Sequence, residues 1–148
     1  MELSGQQLIP LNQRDTWNAL NDIEVLKACI PGCESMEKLQ DDEYQLVMTA
    51  RIGPVSAKFK GRMVLSEANP PDAYVVSFEG QGGVAGFARG QASVRLTPAE
   101  TGTLLDYTAK AMIGGKLAQV GARLIDSVAL KLANRFFSDF NKRACGTA

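Results

Sequence analysis

Few side chains in this 148-residue chain could do chemistry, and one type is missing altogether: there is no histidine. That removes Ser-His-Asp and Cys-His nucleophile systems, histidine-ligated metals and imidazole acid–base catalysis together. Three cysteines remain, Cys29, Cys33 and Cys145. Cys29 and Cys33 flank Ile30-Pro31-Gly32, a poor match to the Cys-x-x-Cys of redox and zinc sites. They read as a Pro-Gly turn with free, buried or half-buried thiols acting as small hydrophobes; a metal or disulfide role is the weaker alternative. Gly80-Gln81-Gly82-Gly83 invites a phosphate-loop reading, but no Lys-Ser/Thr follows and no helix opens from it, so a hairpin or bulge is expected. Tyr107 and Tyr44 are the remaining acid–base candidates. No inward carboxylate accompanies them, so an enzyme is the weaker reading, and no catalytic or metal-ligating residue is assigned.

Composition narrows the classes further. Sixteen Lys and Arg balance sixteen Asp and Glu, so no overall field draws nucleic acid to the chain. Met1-Glu2-Leu3-Ser4 has neither the basic nor the apolar stretch of a signal peptide. No run approaches the ~18 to 20 apolar residues of a membrane span. An odd number of cysteines without export features points to a reducing cytoplasm. One domain over residues 1–148 is expected.

The elements that must position any site start from the last long segment. After Gly114-Gly115, Leu117, Val120, Gly121, Leu124, Val128 and Leu132 recur at three- and four-residue steps, which predicts one helix over about 115–142, roughly 40 Å long. Its stripe drifts, with Phe136 and Phe140 continuing from Ile125 and Leu132, as suits a helix on a twisted sheet. Leu130 and Phe137 stand on the opposite side, as scattered surface residues or as a contact for a partner. Near the start, a strand over Glu2–Ile9 ends at Pro10. Asn12 caps a short helix through Leu20, and Asn21 with Glu24 forms a capping box for a second through Lys27.

Between these helices the hydrophobic period is two. Tyr44, Leu46, Met48, Ala50 and Ile52 alternate with their neighbours, and after Gly53-Pro54 so do Val55, Ala57, Phe59, Gly61, Met63 and Leu65. Tyr74, Val76 and Phe78 follow. The next strand places Val84, Gly86, Ala88, Gly90, Ala92, Val94 and Leu96 on one face, and the last places Leu105, Tyr107, Ala109, Ala111 and Ile113 there. Phe87, beside Arg89, falls on the other face unless a bulge turns it inward. Four consecutive inward positions are Gly or Ala. Either the helix backbone approaches closely there, or a void is left, with Phe59, Met63 and Phe78 as its far walls. No charged residue falls on these inward faces, so such a void would hold an apolar ligand.

The assembled class is α+β: a curved antiparallel sheet of about six to seven strands wrapped on a long C-terminal helix, with two short helices after the first strand. This order resembles the helix-grip (START-like, Bet v 1-like) superfamily. The segments 17–22 (Trp-Asn-Ala-Leu-Asn-Asp), 29–34 (Cys-Ile-Pro-Gly-Cys-Glu), 52–55, 86–90 and 114–119 together resemble the carbon monoxide dehydrogenase G-subunit family.

The resemblance implies a non-catalytic, cytoplasmic accessory protein of a molybdenum hydroxylase of the carbon monoxide dehydrogenase type. It implies a non-covalent quinone such as menaquinone in an apolar cavity, and peripheral contact with the inner face of the cytoplasmic membrane. Many members continue into an amphipathic tail, whereas this sequence stops at Ala148, so transient membrane contact through the cavity mouth or the Leu130/Phe137 side is expected instead. The expected cavity walls are Met48, Phe59, Met63, Phe78, Ala88, Ala92, Tyr107, Ala109, Val120, Gly121 and Leu124, with Ile30 and Pro31 at the rim. Tyr107 would offer its hydroxyl to a quinone carbonyl.

Overall fold

The structure, a computed structural model, describes residues 1–144. The period-two stretches form strands and the flanking stretches helices: β1 (Glu2–Ile9), α1 (Gln13–Leu20), α2 (Ile23–Cys29), β2 (Cys33–Gln40), β3 (Glu43–Ile52), β4 (Val55–Asn69), β5 (Ala73–Gln81), β6 (Phe87–Ala99), β7 (Gly102–Gly114), α3 (Lys116–Gln119) and α4 (Ala122–Ala144). All seven strands belong to one antiparallel sheet in the order β1-β7-β6-β5-β4-β3-β2, the helix-grip architecture expected.

Local chemistry explains the helix starts. The Asn12 side chain accepts the Asp15 N–H at 2.8 Å and opens α1. The cap of α2 is Asp22, which accepts the Glu24 N–H at 2.9 Å, and not Asn21. Asn21 instead closes α1, its side-chain amide donating to the Trp17 carbonyl at 2.8 Å. A shorter path to Glu24 favours the aspartate, because a carboxylate one residue nearer satisfies the orphan amide directly.

The expected continuous C-terminal helix is broken. Gly121 adopts φ +98, outside the right-handed helical region, so α3 ends at Gln119 and α4 begins afresh at Ala122. The break re-aims the stripe. Leu117 on α3 is buried with Phe59 and Ala85, while Ile125 is the buried residue of the first turns of α4. Farther on, Phe140 is fully buried and Phe136 stacks on it at 5.9 Å. Phe137 is not a surface residue: it is 8 % exposed and stacks on Tyr107 with ring centroids 5.5 Å apart, leaving Leu130 alone on the outer side.

The β5–β6 connection also departs from expectation. Gly83–Ala85 form a 3-10 turn, so Val84 and Gly86 precede β6 and do not lie on its inner face. Val84 is 85 % exposed. Gly86, at φ +112, presses against the Gly114 carbonyl, leaving no room for a side chain. Phe87 lies on the outer face over Gly114, with the Arg89 guanidinium 5.8 Å from its ring centre.

The core divides into two parts. A large cluster joins α1, α2, the C-terminal half of α4 and one end of the sheet, through Ile9, Leu20, Leu96, Leu105 and Phe140. A smaller one, Phe59, Ala85 and Leu117, closes the opposite end. Met48 packs against both, and the space between them is where the candidate site lies.

Candidate functional site: an apolar cavity between sheet and helix

Strand register explains why a space is left. Leu46, Gly61, Gly80, Ala88 and Ile113 stand side by side across β3, β4, β5, β6 and β7, and all point inward. Three of the five carry no side chain beyond a methyl group. Over them α4 presents Val128, Ala129 and Leu132, while its aromatics lie farther toward the C-terminus. Nothing large enough to fill the gap faces it from either side. The result is a cavity of about 350 Å³, walled by Met48, Phe59, Met63 and Phe78 from the sheet and by Leu117 and Ile125 from the helices.

Of the residues expected from sequence, Met48, Phe59, Met63, Phe78, Ala88 and Ile30 line this cavity. The other expected positions lie elsewhere, each for a structural reason. Ala92 and Ala109 face each other one inward row beyond Gly90 and Ala111, between the cavity and the row of Val94 and Tyr107. Tyr107 is held under Phe137 and against Gly5, where a methyl group in place of the glycine hydrogen would sit 2.8 Å from the phenol oxygen. Its hydroxyl therefore does not reach the cavity, and the expected bond to a quinone carbonyl is not supported by this geometry. Val120 and Gly121 form the helix break. Leu124 faces the β3–β4 hairpin tip, where a side chain at Gly53 would come within 2.7 Å of it. Pro31 sits in the turn between α2 and β2, outside the lining.

Several walls are not among the positions expected from sequence. Leu46, Ala50, Ile52, Ala111 and Ile113 share the parity of Met48 and Phe59, and that alternation is the signal that could have found them. Val128 and Leu132 belong to the helical stripe read from the sequence, whereas the placing of Ile125 and Ala129 depends on the angle at which α4 restarts after Gly121. Met1 reaches the cavity because its ammonium donates to the Ala111 carbonyl at 3.0 Å.

The lining is almost wholly apolar. Arg62 and Glu79 border it, but alternation turns their side chains to the outer face, where Arg62 pairs with the buried Glu43. No lining side chain can take up or deliver a proton to a molecule held inside. Among the described residues no cluster of His, Cys, Asp or Glu could hold a metal ion, and no helix is long and apolar enough to cross a membrane. What this arrangement can do is bury apolar surface.

Two thiols and two phenols near the core hold their protons more tightly than usual. Cys29 and Cys33 are free thiols, and burial pushes both above the ordinary 9.0; at Cys29, Arg143 opposes this and Asp139 adds to it. Cys145 lies outside the described residues. Burial likewise raises the phenols of Tyr74 and Tyr107 above 10.0. All four groups hold their protons more tightly folded than unfolded. Their contribution to stability is therefore intact below the unfolded thiol value and is lost as pH rises past it. The urea midpoint is expected to stay level to about pH 8.5 and to fall above it, with Cys29→Ala making the first part of the fall shallower. A midpoint that rises between about pH 9 and 10 would contradict this sign.

Comparison with known proteins agrees with the geometry. The sequence profile of the carbon monoxide dehydrogenase G-subunit, CoxG, matches residues 5–145. The chain belongs to the CoxG family. A conserved protein from Geobacillus kaustophilus superimposes with a TM-score of 0.93 at 30% identity, covering 99% of this chain and 97% of that one. A START superfamily protein from Mycobacterium smegmatis matches with a TM-score of 0.74 at 13% identity, over 99% of both chains. The ZhuI aromatase/cyclase from Streptomyces sp. R1128 matches with a TM-score of 0.70 at 10% identity, covering 97% and 93%. The last two likenesses establish the START-like fold alone. No curated protein sequence matches the chain. CoxG membership places the chain in a family named as a subunit of carbon monoxide dehydrogenase.

Proposed function

We propose that this CoxG protein is a non-catalytic carrier that holds a quinone such as menaquinone in the cavity. In this reading it links a molybdenum hydroxylase of the carbon monoxide dehydrogenase type to the cytoplasmic membrane. The observation that carries the reading is the 350 Å³ space with no ionisable or hydroxyl side chain reaching into it. An apolar cavity of about 150 Å³ already admits benzene, and ligand pockets begin near about 300 Å³. The space therefore suits a bicyclic quinone ring or a few isoprenoid units, not a whole long-chain quinone. Buried carbonyl oxygens without a donor would be costly, so the quinone oxygens belong at the opening and the hydrocarbon belongs inside.

Native mass spectrometry after incubation with menaquinone in detergent micelles tests the carrier. One quinone mass per chain is expected, together with its loss on solvent extraction. A protein that stays apo would overturn the carrier reading and leave a ligand-free module that docks the hydroxylase.

A further inference from the structure

An antiparallel sheet sends its connections alternately to two ends, and here the two sets of turns carry opposite charge. At the end away from the cavity, the β2–β3, β4–β5 and β6–β7 turns expose Asp41, Asp42, Glu67, Asp72 and Glu100 and no base; Lys38, one turn back on β2, pairs with Asp41. At the cavity end lie the β3–β4 tip, the β5–β6 turn and the passage from β7 through α3 into α4. These expose Arg51, Lys116 and Arg123 and no acid, with Asp126 one helical turn beyond Arg123. Glu34, at the start of β2, is taken up by Lys58 at 3.6 Å. None of the three cations forms an ion pair among the described residues. The two sets of sheet turns in a chain of zero net charge thus differ in sign. Cations do approach the acidic set from the helices: α1 brings Arg14, beside the Gln13 that donates to Asp72, and α4 brings Arg143 toward the same end of the sheet.

The same basic end carries Val84, 85 % exposed on an uncharged turn with Gly82, Gly83 and Gly86 around it. Behind that turn lies Ala85, buried with Phe59 and Leu117 of the cavity wall. An exposed apolar tip, a set of unpaired cations and an apolar cavity directly behind them fit one kind of surface. Anionic headgroups would meet the cations, and the hydrocarbon beneath would receive the valine. An acidic protein would satisfy the cations, but it would leave Val84 and the cavity facing polar surface.

We infer that the cavity end docks on an anionic lipid surface, with Val84 at the acyl boundary and Arg51, Lys116 and Arg123 at the headgroups. The water-insoluble ligand then passes between bilayer and cavity without crossing water. The loading step rests on the carrier reading above; the docking surface does not.

Sedimentation with vesicles tests it, using the full chain and either phosphatidylcholine alone or phosphatidylcholine mixed with phosphatidylglycerol. The protein is expected to bind the mixed vesicles, to release in high salt, and to bind neutral vesicles about 10-fold more weakly. Arg51→Glu with Arg123→Glu should weaken binding to mixed vesicles by about 10-fold or more, and Val84→Asp should weaken it too. Asp72→Lys with Glu100→Lys at the far end should change it by less than about 2-fold. All these positions are exposed, and circular dichroism checks that each variant folds. No binding to mixed vesicles, or equal binding by the charge-reversed variants at both ends, overturns the proposal. So does an unaltered protein that binds the purified hydroxylase but not mixed vesicles, and loses the hydroxylase in the Arg51→Glu, Arg123→Glu variant; the basic end would then be a protein interface. Vesicle binding without a quinone adduct by mass would remove the carrier and leave the docking surface standing. An adduct without vesicle binding would do the reverse.

Discussion

Ala129→Phe is expected to make the protein more stable and, at the same time, nearly unable to hold its ligand. Ala129 lies on α4 over the Gly61, Gly80 and Ala88 floor, with the cavity between. A phenyl ring placed there enters existing space instead of displacing packed atoms. Filling such a space typically contributes about 0.5–2 kcal/mol, and a domain of this size gains roughly 2–4 °C in melting temperature per kcal/mol. Were the interior solid, the same change would overpack it and cost about 1–3 kcal/mol. The sign of the stability change therefore reports whether the cavity exists. The binding change reports whether the cavity is where the ligand sits, because losing even about 1.4 kcal/mol of apolar contact is about 10-fold in affinity. A thermal melt and the quinone titration by native mass spectrometry, done on one preparation, read both. A lower melting temperature would remove the void, and a higher one with unchanged binding would place the ligand elsewhere.

What sequence could and could not disclose follows from the range of the interactions involved. Strand alternation is local, so the inward parity of Met48, Phe59, Met63, Phe78 and Ala88 is legible residue by residue. The alignment of Gly61 with Gly80 and Ala88 is not, because register depends on turn lengths and on the 3-10 turn at Gly83–Ala85 that removes Val84 and Gly86 from β6. A glycine within a helical pattern is tolerated often enough that Gly121 gives no warning of its φ of +98. Once α4 restarts at that break, Ile125 and Ala129 turn to the cavity and Leu124 turns to Gly53. The same rotation puts Phe137 over Tyr107. The pairing of those two rings joins distant positions on β7 and α4, and no periodicity contains it.

Phe140→Ala is expected to be the most damaging single truncation among the described aromatics, and the reason lies in how unevenly the core is filled. Phe140 is 0 % exposed, stacked on Phe136, at the place where α4 meets the large cluster containing Ile9, Leu20 and Leu105. Its ring is surrounded on every side, so truncation removes the full transfer energy and leaves a cavity that the neighbours cannot close, costing about 3–5 kcal/mol. Against a typical total of about 5–15 kcal/mol this is a large fraction, and the melting temperature should fall by about 10 °C. Met63→Ala serves as its counterpart. Met63 already faces empty space on one side, so fewer contacts are lost and the cost should sit near the lower limit for such truncations, about 2 kcal/mol. Urea denaturation of the two variants gives the comparison directly. If Met63→Ala costs as much as Phe140→Ala, the space beside Met63 is filled by side chains after all. If Phe140→Ala costs less, the C-terminal half of α4 does not anchor the helix against the sheet, and the grip must come from Leu117 and Ile125 instead.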